Sequence, residues 1–390
     1  MFSETLVRKF QHTPTPFYYY DLSVLRETLR QIKTEADRYG FHVHYALKAN
    51  ANEPVLAAVR AENMGADCVS GNEVKRAIAC GFASGQIVFA GVGKSDAEIN
   101  YSLDHNISCF NCESLQEMEV INDLARRAGK TARIALRINP NVNANTHKYI
   151  TTGLEENKFG INLWELEEVV GRLKDLVNLQ LTGLHFHIGS QIMDLSSFKS
   201  LCLRVNEIQG WFASRKISIE TINVGGGLGV DYHEPDLHRF ADFAAYFRLF
   251  KEFLELRPGQ QVHFELGRAV IAPCGSLISR VLYIKKGVST QFAILDAGMT
   301  ELIRPALYQS YHKIENITKS LSAGGTGSDD LLKYDVVGPI CESSDCFGKA
   351  VTLPHTERGD LIAIRTAGAY GEVMASEYNL RDKVKAIYSE

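Results

Sequence analysis

The sequence has no long apolar run, no block of like charge and no framework of paired cysteines, and each lack removes a class of protein. No stretch approaches the roughly 20 apolar residues that a membrane-spanning helix needs. Met1 to Tyr20 carries charges and two prolines where a secretory leader would need an apolar core. We therefore expect a cytoplasmic protein with no membrane partner. Lys and Arg total 42 against 46 Asp and Glu, a net charge of −4 without a basic cluster, so nucleic acid is not an expected ligand. The eight cysteines are scattered, at 68, 80, 109, 112, 202, 274, 341 and 346, and are expected as free thiols. Cys109-Phe110-Asn111-Cys112 has zinc-like spacing, but no second close pair completes four ligands, and no metal is expected.

What is present is a strand-helix alternation. After a helical stretch from Leu22 to about Arg38, β-like runs occur at Val43–Lys48, Ala66–Val69, Ile87–Ala90, Ile107–Phe110, Ala132–Ile138, Leu179–His185, Ile219–Val224 and Val262–Glu265. Helical segments separate them. The clearest, Phe198 to Phe212, places Phe198, Leu201, Cys202, Val205, Ile208 and Phe212 on one face. Another starts at Ser114, which with Glu117 has the spacing of a capping box. Eight such units predict a (β/α)8 barrel over residues 22–271.

After Ala272 the alternation stops. Ser276–Val288, Gln291–Asp296, Leu332–Val337, Lys349–Leu353 and Leu361–Arg365 read as strands with turns between them, predicting a mostly antiparallel β domain over residues 272–390. Residues 1–21 are assigned to it as well, because Phe17 to Tyr20 follows two prolines and suits an added strand. Lys319 to Asp330, rich in glycine and serine, is expected to be a mobile loop.

Lys48, Asp67, His187, Gly225–Gly227 and Glu265 fall at or just after the C-terminal ends of different expected strands, where barrel enzymes assemble their sites. A lone lysine there would more often cover apolar neighbours with its stem. Three consecutive glycines allow close approach to a phosphate or merely a tight turn, and Arg268 after Gly267 adds a charge suited to phosphate. A strand-end glutamate is commonly an arginine's partner, and His187 alone would read as a core histidine. Arg304 and Tyr308, four apart, would share a helical face and suit a carboxylate bound at two points, or be a surface arginine packed on a ring.

Taken in order, Tyr45-Ala46-Leu47-Lys48-Ala49-Asn50, the run from His185 to Gln191, Asn223-Val224-Gly225-Gly226-Gly227, Glu265-Leu266-Gly267-Arg268, Arg304-Pro305-Ala306-Leu307-Tyr308, Cys341-Glu342-Ser343 and Gly368-Ala369-Tyr370 resemble the pyridoxal-phosphate decarboxylases with a barrel plus β-domain, fold type III. The likeness runs from about Thr15 to Asn379. It implies pyridoxal 5'-phosphate attached to Lys48, with Asp67, His187, Ser190, Gly225, Gly226, Gly227, Glu265, Gly267, Arg268 and Tyr370 around it. Glu265 would keep the ring nitrogen protonated and His187 would pack on the ring face, leaving His185 structural. The family pattern Glu-Pro-Gly-Arg has Leu266 in second place here.

The same resemblance implies an amino-acid substrate, with Arg268, Arg304, Tyr308, Glu342 and Tyr370 at its far end and Cys341 as proton donor. Glutamate after the cysteine, where ornithine enzymes carry aspartate, points to the branch that decarboxylates meso-diaminopimelate to lysine. Other basic amino acids (ornithine, arginine, carboxynorspermidine) are the alternative, and a non-catalytic cofactor carrier is a different class that would need neither Cys341 nor Arg304. The family also implies a homodimer with shared active sites.

Overall fold

The computed structural model describes residues 2–142, 158–319 and 331–390, so all but the first residue of the Lys319–Asp330 stretch lies outside the described residues. The chain opens with helix α1 (Glu4–Gln11), strand β1 (Phe17–Tyr20) and helix α2 (Leu22–Asp37). The expected eight strands follow: β2 (His42–Ala46), β3 (Gly65–Cys68), β4 (Ile87–Phe89), β5 (Cys109–Cys112), β6 (Ala132–Arg137), β7 (Leu179–His185), β8 (Thr221–Asn223) and β9 (Gln261–Leu266). Between them run α3 (Glu53–Ala61), α4 (Gly71–Ala79), α5 (Asp96–Asp104), α6 (Leu115–Arg127), α7 (Leu166–Leu173), α8 (Ser196–Ser214) and α9 (Phe243–Phe253). All neighbouring strands pair in parallel, and β9 returns to β2, closing the barrel. Cys109 and Cys112 are both part of β5, with free thiols.

Strand alternation sorts the side chains of β9. Phe264 points outward and meets Phe247, Phe250 and Tyr246 of α9 at ring distances of 4.9, 5.0 and 5.6 Å. Its neighbours His263 and Glu265 therefore face the barrel interior, where both find polar partners. Helix α8 buries the expected face, Phe198 through Phe212. The capping box at α6 forms by half. Ser114 Oγ accepts from the Glu117 N–H, but the Glu117 carboxylate reaches one residue further back, to the Glu113 N–H at 2.6 Å, and pairs with the buried Lys94.

A second unit comprises residues 1–25, 230–240 and 271–390, and the barrel unit comprises residues 26–229 and 241–270. After α10 (Arg268–Ile271) come β10 (Gly275–Lys286), β11 (Gln291–Leu295), α11 (Arg304–Tyr308), β12 (Ile314–Asn316), β13 (Leu332–Val337), β14 (Cys346–Leu353), β15 (Leu361–Ile364) and β16 (Lys385–Tyr388). The sheet order is β12-β15-β10-β11-β13-β14. β1 joins it antiparallel to β10, and β16 pairs with β1 in parallel. The sheet is mostly antiparallel, with β11–β13 the other parallel pair. Helix α1 seals one face: Val7 and Phe10 pack with Phe17, Tyr19, Ile278 and Leu361.

Candidate active site

In the barrel unit, β2 ends at Ala46 and a single 3-10 turn, Leu47–Ala49, follows. Lys48 thus leaves the strand end between two buried residues, its own side chain partly open. The turn is pinned on its far side, where the Tyr45 hydroxyl donates to Asn50 O and the Asn52 N–H donates to Asn50 Oδ1, each at 2.9 Å. Asp67, next along the rim on β3, is buried, and its Oδ1 has no hydrogen-bond partner among the described residues. Burial, then repulsion from Glu265, raises its carboxyl well above the ordinary range.

Glu265 is the most heavily bonded group of the site. Its Oε1 accepts from Asn223 Nδ2 at 2.7 Å and Asn111 Nδ2 at 3.2 Å, and its Oε2 lies 2.9 Å from His185 Nε2. Burial alone would raise this carboxyl. The charge and hydrogen bond of His185, followed by Lys48, outweigh burial and leave it well below its usual range. His185, read from sequence as structural, is therefore part of the site. The run His185-Phe186-His187 splits because β7 ends at His185: beyond the strand, the His187 Nδ1 accepts from the Gly226 N–H at 3.3 Å. Burial, then Lys48 and Arg137, hold the His187 imidazole well below its ordinary range, so it is neutral with its proton on Nε2.

The glycines after β8 lie against the backbones of β7 and β9. A Cβ on Gly226 would stand 2.0 Å from Glu265 O, and one on Gly225 2.3 Å from Phe186 O. Gly225 and Gly227 also have φ of +71° and +109°, so no other residue fits the run. Opposite the departure from the family pattern, Leu266 simply continues β9 in register with Tyr45. Gly267 then turns the chain into α10, where Arg268 is buried and donates to Ser190 Oγ at 2.9 and 3.3 Å.

Sequence reasoning missed four polar residues here. Arg137, at the end of β6, forms a buried ion pair with Glu113 at 2.7 Å, and Glu113 also accepts from the Gly91 and Gly160 N–H groups. Asn111 and Asn223 complete the set. The available signal was a polar residue in, or just after, a barrel strand.

In the β unit, Arg304 opens α11 and is buried, its guanidinium 5.4 Å above the Tyr232 ring and donating to Ser310 Oγ at 3.3 Å. Tyr308 ends the same helix, partly exposed. Cys341 and Glu342 lie on an exposed loop between β13 and β14. That loop is held by its neighbours: the Cys341 N–H donates to Asn379 Oδ1 at 3.4 Å and the Tyr378 hydroxyl to Glu342 Oε1 at 3.0 Å. Tyr370, after β15, sits at φ +56°, an uncommon conformation for a residue with a side chain.

These groups fit pyridoxal phosphate. The barrel rim offers an amine for the aldehyde, an enclosed carboxylate for the ring and a glycine run with a serine-bound guanidinium for the phosphate, and a buried acid, Asp67, stands on the strand next to that of the amine. Fold and site define a class, the pyridoxal-phosphate-dependent decarboxylases, and the family described as "Pyridoxal-dependent decarboxylase, pyridoxal binding domain" matches residues 22–272. The chain is 56% identical over 385 residues to a diaminopimelate decarboxylase of Bacteroides thetaiotaomicron, covering 98% of both chains. The crystal structure of the Helicobacter pylori diaminopimelate decarboxylase complexed with L-lysine superposes with a TM-score of 0.90 at 39% identity, covering 98% of this chain and 94% of that one. A lysine/ornithine decarboxylase of Vibrio vulnificus, 20% identical with a TM-score of 0.84 and covering 100% of this chain and 99% of that one, shares the fold. The chain belongs to the diaminopimelate decarboxylases.

Proposed function

We propose that the chain decarboxylates meso-2,6-diaminopimelate to L-lysine and carbon dioxide, the last step of lysine biosynthesis, in the cytoplasm and as a homodimer. The observation that carries this reading is the barrel rim itself, where Lys48, Asp67, His187, Gly225–Gly227, Glu265 and the Arg268–Ser190 pair stand on successive strand ends. Bound pyridoxal phosphate supplies an electron sink for the pair released when the Cα–carboxylate bond breaks. Lys48 carries it covalently. Glu265 holds the ring nitrogen's proton, and neutral His187 covers the ring face without adding charge. Arg268, Ser190, the glycine N–H groups, Gly267 and Tyr370 take the phosphate, and Asp67 lies beside Lys48.

At the other end of the substrate, Arg304 binds the distal carboxylate, with Tyr308, Arg268, Tyr370 and Glu342 around the far amino-acid group. Cys341 returns a proton to the carbon that lost its carboxylate. Exposure of Cys341 and Glu342, with Leu380 98% exposed close by in sequence to Tyr378 and Asn379, suits a loop that completes a second copy's site. The test has two arms. Borohydride reduction followed by peptide mapping should place the cofactor on Lys48, and a panel of meso-diaminopimelate, ornithine, arginine and lysine should show preference for the first. An adduct on another lysine, or faster turnover of ornithine or arginine, would overturn the corresponding assignment.

A further inference from the structure

The three donors on Glu265 come from three different strands, β5, β7 and β8, and none was placed there by chain neighbourhood. Asn223 is oriented from both sides. Its Oδ1 accepts from the Gly225 N–H at 2.9 Å, which obliges its Nδ2 to face Glu265 Oε1 at 2.7 Å. The same side chain therefore ties the glycine run to the carboxylate. His185 is 1% exposed and its Nδ1 is enclosed without a hydrogen-bond partner among the described residues, where its side-chain hydrogen bond runs to Glu265 Oε2. An enclosed, unpaired polar nitrogen costs stability, so the site keeps His185 at a net expense.

We propose that Asn111, Asn223 and His185 are positioning residues that grip Glu265 as an acceptor-only carboxylate, fixing its direction and its charge for the ring nitrogen of the cofactor. This inference rests on the proposed cofactor role of Glu265. Without the clamp, Glu265 is a carboxyl buried near a second buried acid, Asp67, and burial favours its protonated form. A protonated Glu265 has no charge with which to hold a proton on a neighbouring ring nitrogen. The clamp thus acts on the chemical step more than on substrate capture, because it touches no part of the substrate.

The experiment reads the carboxyl directly, in the full-length protein freed of cofactor, by carbon-13 labelling of glutamate with the Glu265 signal identified through Glu265→Gln. Wild type should show an ionised signal with no titration between about pH 7 and pH 5. His185→Leu and Asn223→Asp should each bring a carboxyl titration into that range, the second because it sets two acids side by side while still accepting from Gly225. In the cofactor-loaded protein His185→Leu should lower kcat by at least about tenfold with KM within about twofold, and His185→Gln, which keeps an N–H within reach, should restore most of it. A flat titration in both variants, or a Gln variant as impaired as the Leu variant with circular dichroism unchanged, would overturn the clamp. Should His185→Leu fail to fold, Asn111→Leu and Asn223→Asp decide by the same titration. Failure of the substrate reading would instead appear as wild-type inactivity on diaminopimelate with the wild-type titration unchanged.

Discussion

Arg304 carries the discrimination between substrates in the proposed reading, and its surroundings say how much. It is 5% exposed, packed over Tyr232 and bonded to Ser310 Oγ, so its guanidinium is held before any ligand arrives. A charged hydrogen bond to a distal carboxylate is worth about 1.5–3 kcal/mol. Arg304→Ala should therefore lower kcat/KM for diaminopimelate by at least about tenfold, and leave the slow background rate on lysine little changed. Equal loss on every amino acid would show that Arg304 serves the fold instead. Residues of this kind were legible in the sequence because a motif surrounds them: Lys48, Glu265 and Arg304 each stand in a run whose neighbours also carry chemistry. Tyr232, Asn111, Asn223, His185, Glu113 and Arg137 were not. Each acts only through a partner distant in sequence, as Asn111 does 154 positions from Glu265, and nothing local marks that pairing.

At the scale of the element, the barrel strands were legible from apolar runs between helices, with boundaries displaced by at most two residues and Leu179–His185 unshifted. The misses, α1, β12 and β16, are short, and their reason to form is tertiary: β16 exists by pairing with β1, and α1 by covering Phe17 and Tyr19. Strand alternation also explains a pH dependence. His44 and His263 both face the barrel interior, with His44 Nδ1 donating to Gln86 O at 3.2 Å and His44 Nε2 accepting from His263 Nδ1 at 3.0 Å, an arrangement that requires a neutral His44 ring, while a proton on His263 Nε2 would be buried with no hydrogen-bond partner among the described residues. Burial, then His44 and His42, lower the His263 imidazole from 6.5 to about 3, and burial lowers His44 as well. A histidine depressed in the folded state contributes stability above its unfolded value that is lost as pH falls. The urea midpoint should thus drop between about pH 6.5 and pH 5, each such histidine adding up to about 1.4 kcal/mol per pH unit. His263→Asn keeps a donor at the Nδ1 position and removes one titrating ring, so its slope should be shallower; an unchanged slope would exclude His263 as a source. In the same unit Gly226→Ala forces a methyl against Glu265 O, and should cost about 1–3 kcal/mol in urea unfolding together with loss of bound cofactor.

At the scale of the whole molecule, the proposed reading assigns Lys48 and Cys341 to one site and raises the question of which chain supplies each. Lys48 and Glu265 belong to the barrel unit, and Cys341 and Glu342 to an exposed loop of the β unit, where Asn379 and Leu380 hold successive positive φ values of +58° and +57°. If a second copy supplies Cys341, Lys48→Ala and Cys341→Ala proteins, each inactive alone, complement when mixed. A hybrid dimer then contains one site with both defects and one with neither, whereas sites confined to single chains would leave both damaged. Random exchange at equal concentrations makes half of the dimers hybrid, and one of the two sites in each is whole, so recovery should approach about a quarter of wild-type activity. Subunit exchange is verified independently by native mass spectrometry of one isotope-labelled partner. Exchange without recovered activity would assign Cys341 to its own chain's site, and recovery near a quarter would assign it to the neighbour's.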